Sequence, residues 1–102
     1  AHNDYFHPAL AGSKAAIEQR GNRVGTLLIY LKTPNKGGET IFTRANISVQ
    51  PQRGSALLFV YNEPSPRTLT EHCGAPVIEG VKYVATKWFR EKAIHQVSVN
   101  PA

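Results

Sequence analysis

The sequence predicts an all-β fold, a sandwich or jelly roll, and three observations carry that prediction. Seven short β-prone stretches recur along 102 residues (1–7, 23–32, 40–43, 47–50, 55–61, 68–72 and 81–88). Turn signals separate them: PNKGGET, PQRG, NEPSPR and GAPVIEG. Only one stretch has helical composition. Many short strands with Gly- and Pro-rich punctuation are the mark of a sandwich or barrel.

The first stretch, AHNDYFH, is read as extended and is closed by Pro8, so that His2 and Asp4 point the same way. Residues 14–20 then form a short helix, with Ser13 as its cap and Gly21 as its stop. RVGTLLIYLK, 23–32, is apolar almost throughout and is predicted to be covered on both faces. Residues 40–43 and 47–50 are short strands, the second ending at Pro51, and Gly54 admits a further strand over 55–61. Residues 68–72 complete the set before the last and most informative stretch, HCGAPVIEGVKYVATKWFRE. Its 81–88 segment alternates, placing Lys82, Val84, Thr86 and Trp88 on one face, directed at a core. A lysine on such a face needs an anion, because an unpaired buried ammonium costs several kcal/mol.

Length and composition bound the rest. The chain is long enough for one domain with a modest core and no staples. Cys73 is the single cysteine, which excludes an internal disulfide framework and leaves the compartment open. No run of about 18 apolar residues occurs, so no membrane partner is expected. The net charge is +5, but its twelve Lys and Arg residues are scattered, and no basic stripe interleaved with aromatics argues for nucleic acid. The start at Ala1, running directly into a polar His-Asn-Asp cluster, suggests a piece of a larger domain.

The chemistry is carried by His2, Asp4 and His72. A His-x-Asp pair offers an imidazole and a carboxylate to one side, and a distant histidine completes a 2-His-1-carboxylate set of the kind that suits non-haem Fe(II) oxygenases. Taken singly, each residue has a bland reading as an edge histidine, a turn aspartate or a surface lysine with its stem packed on Trp88. His-x-Asp alone is a weak motif. Lys82, ten residues after His72, strengthens it by offering an ammonium to a carboxylate beside the metal.

Five blocks, HNDYF, RVGTLLIYL, GGETIF, PQRGSALLF and HCGAPVIEGVKYVATKWFRE, occur in the order found in prolyl 4-hydroxylases. Over residues 2–91 the chain resembles the catalytic domain of that group of 2-oxoglutarate- and Fe(II)-dependent dioxygenases. The resemblance implies a double-stranded β-helix (jelly roll), here lacking the N-terminal strands and helix that precede the motif in relatives, with 1–102 as the C-terminal major part of one domain. It implies that His2, Asp4 and His72 bind iron and that Lys82 holds the far carboxylate of 2-oxoglutarate. Thr40 and Tyr30 stand where relatives line the same cosubstrate pocket, and Thr86 and Trp88 are expected to wall it. Lys32 departs from the asparagine more often found there. The implied activity is hydroxylation of prolyl residues in a peptide or protein, with succinate and CO2 as co-products and ascorbate keeping the iron reduced. Two other readings stand beside it: a non-enzymatic binding module of the cupin or lectin sort, which has no need of Lys82, and a basic nucleic-acid binder such as a nucleobase-demethylating oxygenase, against which the scattered charge counts. His7 and His95 are assigned no ligand role, Cys73 is a small packed residue, and Tyr5 and Phe6 are packing residues.

Overall fold

A computed structural model of the chain describes residues 1–92, so His95 lies outside the described residues. Among the described residues one α-helix, α1 (Ala11–Arg20), precedes eight strands: β1 (Arg23–Lys32), β2 (Lys36–Gly37), β3 (Thr40–Phe42), β4 (Ile47–Val49), β5 (Ala56–Val60), β6 (His72–Gly74), β7 (Val77–Glu79) and β8 (Tyr83–Arg90). They form two three-stranded sheets, ordered β5-β1-β8 and β4-β3-β6, with β2-β7 as a small ribbon; every pairing is antiparallel. This is the jelly-roll-like β fold that the sequence predicts.

The alternation of β1 builds the interior. Thr26 and Tyr30 are fully buried while Ile29 and Leu31 remain exposed, because successive side chains leave opposite faces of a strand. Covering on both faces is therefore not what the structure shows. From the two sheets and the loop after β5, Leu28, Phe42, Val49, Leu57, Phe59 and Tyr61 meet Tyr5 and Ala45 in one cluster. The Phe42 and Phe59 rings pack edge-on, 5.0 Å between centroids, and Phe59 packs against the His72 imidazole at 4.9 Å. Such edge-to-face pairs contribute about 1 kcal/mol beyond their area.

Several elements differ from the sequence expectation. The helix begins at Ala11, three residues early, behind an extended Leu10 with no side-chain cap; Gly21, at φ 75°, ends it by donating to the Ile17 carbonyl. Residues 68–72 are not a strand. Pro66 starts a 3-10 helix, Pro66–Thr68, and the left-handed backbone of Leu69 terminates it, so β6 starts only at His72. The PNKGGET and GAPVIEG turns contain the β2-β7 ribbon, which Gly37 and Gly38 permit with φ near 80°. The final strand starts at Tyr83 and has β1 as its sole neighbour among the described residues, so Tyr83–Phe89 stay exposed on a sheet edge instead of facing a closed core.

The N-terminal segment is held less by strand pairing than by two small devices. His2 bridges His72 through reciprocal backbone hydrogen bonds of 2.9 Å. Buried Asn22 then clamps the chain at Phe6: its Oδ1 accepts from the Phe6 N–H at 2.7 Å and its Nδ2 donates to the Phe6 carbonyl at 2.8 Å. The same Oδ1 accepts from Arg23 N–H, and Glu91 Oε1 accepts from Asn22 N–H. Asn22→Ala strands several part-buried backbone groups, and is expected to lower the unfolding free energy in urea by about 2–3 kcal/mol.

Candidate metal centre

His2, Asp4 and His72 converge. One potential ligand atom from each lies within 4.8 Å of the others. Asp4 Oδ1 is 3.1 Å from His2 Nε2 and 3.7 Å from His72 Nε2, and the two imidazole centroids are 4.4 Å apart. The convergence follows from the backbone: the bridge places His2 opposite His72, and the chain bends after Asn3 to turn the Asp4 carboxylate back between the rings. The pair thus shares a side, but through a bridge and a bend and not through a regular strand.

Each group is oriented from behind. His72 Nδ1 lies 2.8 Å from the Thr70 carbonyl, a hydrogen bond only a protonated Nδ1 can make, which leaves Nε2 with its lone pair toward Asp4. On Asp4, Oδ2 accepts from the Thr26 hydroxyl at 2.7 Å and from the Trp88 indole N–H at 3.4 Å. Asp4 and His72 are buried and His2 is exposed, so the cluster opens to solvent on the His2 side. Two imidazole nitrogens and one carboxylate oxygen, preset in this way, form a donor set that fits a divalent transition metal and leaves other coordination positions to outside ligands.

A second cluster lies further along the same face of β1. The Tyr30 hydroxyl and Thr40 Oγ1 are 2.8 Å apart, both buried. Lys82 Nζ stands 5.9 Å from the Tyr30 ring centroid. Its stem passes over Gly38, where a β-carbon would lie 3.2 Å from Lys82 Cδ. Lys82 is half-buried, just ahead of β8, and no carboxylate lies within 4.0 Å of it among the described residues. The three residues singled out together in the sequence therefore meet in space. Trp88, paired opposite Thr26, belongs to the Asp4 end, while Thr86, opposite Leu28, is exposed. His7 is exposed, with its Nδ1 accepting from Ala9 N–H.

Sequence reasoning missed three residues. Thr26 and Tyr61 join the Asp4 carboxylate through buried hydroxyls 2.5 Å apart. Arg23 is stacked between aromatic rings, its guanidinium 4.1 Å from the Trp88 centroid and 4.6 Å from that of Phe6, with Nη1 at 3.5 Å from the Asp4 carbonyl and a buried Nε that has no partner. The available signal was a hydroxyl inside an apolar strand, RVGTLLIYLK, and a tyrosine at the end of ALLFVY.

With this geometry in place, the chain can be set beside known proteins. Residues 1–90 match the 2OG-Fe(II) oxygenase superfamily, and the chain belongs to that family. Within it, the similarity runs to prolyl hydroxylases. Prolyl 4-hydroxylase 2 of Arabidopsis thaliana is 35% identical over 120 residues, covering 95% of this chain and 38% of that protein. The human prolyl 4-hydroxylase subunit alpha-3 is 42% identical over 89 residues, covering 85% of this chain and 16% of the human one. Among solved structures, the viral collagen prolyl hydroxylase of Paramecium bursaria Chlorella virus-1, in complex with 2OG, aligns with a TM-score of 0.60 at 36% identity, covering 66% of this chain and 40% of that one. The chain thus spans two fifths or less of the length of these relatives.

Burial raises the Tyr61 phenol above its ordinary value of 10.0, with the Asp4 charge adding to the rise and the Arg23 charge opposing it. The folded chain therefore keeps this proton to higher pH than the unfolded chain does. Stability is expected to fall as pH rises from about 10 through the folded value, and Tyr61→Phe to remove that part of the loss, as read by urea melts across the alkaline range.

Proposed function

We propose that this chain is the metal-binding part of a 2-oxoglutarate- and Fe(II)-dependent dioxygenase that hydroxylates prolyl residues in a peptide or protein, releasing succinate and CO2. The observation that carries the reading is the convergence of His2, Asp4 and His72 on one point, with Lys82, Tyr30 and Thr40 gathered along the same strand face. Membership of the superfamily and the names of the relatives support it.

In this reading His2, Asp4 and His72 hold Fe(II). Bound iron with 2-oxoglutarate and O2 would supply the oxidising power that no protein side chain has. Lys82 holds the far carboxylate of 2-oxoglutarate, whose charge answers a half-buried ammonium that has no carboxylate partner among the described residues. The buried Tyr30 and Thr40 hydroxyls supply further donors beside it. The open side at His2 admits the prolyl substrate. Ascorbate, as the reductant that keeps the iron ferrous, belongs to the same proposal and rests on the resemblance alone. No helix among the described residues is long and apolar enough to cross a membrane.

Anaerobic Fe(II) with 2-oxoglutarate is expected to give a visible charge-transfer band that His72→Ala abolishes and Lys82→Ala weakens. A band or affinity indifferent to Lys82→Ala would favour a binding module that uses the same barrel without the cosubstrate. Neither band nor succinate from the intact wild-type protein would end the enzyme reading. With proline-containing peptides, mass spectrometry is expected to show the gain of one oxygen atom on proline.

A further inference from the structure

Thr26 and Tyr61 are the most deeply buried polar residues beside the metal centre, at 0% and 1% exposure. Their hydroxyl protons can be arranged in one way. A carboxylate only accepts hydrogen bonds, so Thr26 donates to Asp4 Oδ2 across 2.7 Å. With its single proton so placed, Thr26 Oγ1 can only accept from Tyr61, whose hydroxyl is 2.5 Å away. The direction Tyr61 to Thr26 to Asp4 is fixed, and donors in series polarise and strengthen one another.

The relay ends on one oxygen. Oδ2 receives Thr26 and, at 3.4 Å, the Trp88 indole, while Oδ1 is the atom that faces both imidazole Nε2 atoms. Rotation about the last torsion of an aspartate is soft and roughly two-fold, so a carboxylate without such donors can exchange its oxygens or swing away. Both hydroxyls sit on rigid backbone: Thr26 lies at the centre of β1, and Tyr61 N–H donates to the Val24 carbonyl of the same strand at 2.9 Å.

We propose that the Tyr61–Thr26 hydroxyl relay is a positioning device for the metal centre, engaging Asp4 Oδ2 so that Oδ1 alone is presented to a divalent cation between His2 and His72. The proposal rests on the metal-binding reading above and adds two residues to it. Neither touches the cation. They act through Asp4.

The test is Mn(II) titrated into the full chain without cosubstrate, followed by electron paramagnetic resonance, with thermal melts of each metal-free variant alongside. Wild-type protein is expected to bind Mn(II). Thr26→Val, equal in size but without the hydroxyl, is expected to weaken binding about 10- to 100-fold, the usual range for losing an outer hydrogen-bond partner of a ligand. Thr26→Ser restores the donor and is expected to recover affinity to within about threefold of wild type. Tyr61→Phe leaves Thr26 without its own donor and is expected to cost a smaller factor, about threefold to tenfold. Wild-type affinity in a folded Thr26→Val, or no recovery in a folded Thr26→Ser, would overturn the relay and leave the metal site standing. If Thr26→Val does not fold, Tyr61→Phe decides, and unchanged Mn(II) affinity there counts against the relay. Failure of the wild-type chain to bind Mn(II) would remove the metal reading and the relay together.

Discussion

The buried carboxylate of Asp4 is the constraint around which this structure is arranged. At 8% exposure it has lost most of its water, and each oxygen must be answered by the protein. Five side or main chains gather at it: the two imidazoles on one oxygen, Thr26 and Trp88 on the other, and Arg23 at the backbone carbonyl. Those partners come from the N-terminal segment, β1, β6 and β8. A single acidic residue therefore ties together both sheets and the chain's beginning.

Strand β1 is the other organising element. It lies between β5 and β8, so its ladder is satisfied on both edges. Its inward positions divide the work along its length: Thr26 serves the His2–Asp4–His72 cluster, Leu28 the hydrophobic core, and Tyr30 the Lys82 cluster. This spacing comes from the two-residue period of a strand, which separates the clusters while keeping them on one face. Asn22, immediately ahead of β1, fixes where the segment carrying His2 and Asp4 meets it.

Much of this could be read from the sequence, for identifiable reasons. The apolar run of β1 and the short β-prone segments at 40–43, 47–50 and 55–61 were legible because local pattern and turn residues agree there. The grouping of His2, Asp4 and His72 was legible because two imidazoles and a carboxylate make a recognisable donor set, and that of Lys82 with Tyr30 and Thr40 because the order of the sequence blocks resembles that of prolyl 4-hydroxylases. The 3-10 helix was missed because a left-handed Leu69 has no sequence signature. The β2-β7 ribbon is too short for any period to register. The exposure of β8 follows from its having a single neighbour among the described residues, which alternation cannot reveal. Thr26 and Tyr61 look like ordinary β-formers, and what sets them apart is a tertiary contact to Asp4.

The contact between Trp88 and Asp4 joins residues 84 positions apart in sequence. Local structure formed early cannot contain such a site, because the loop must be closed before either end is rewarded. The unfolded chain thus has no preformed nest for a cation, only separated imidazoles and carboxylates. A metal captured at this centre would bind a nearly finished molecule, acting as a seal on completed folding and drawing the equilibrium toward it by mass action.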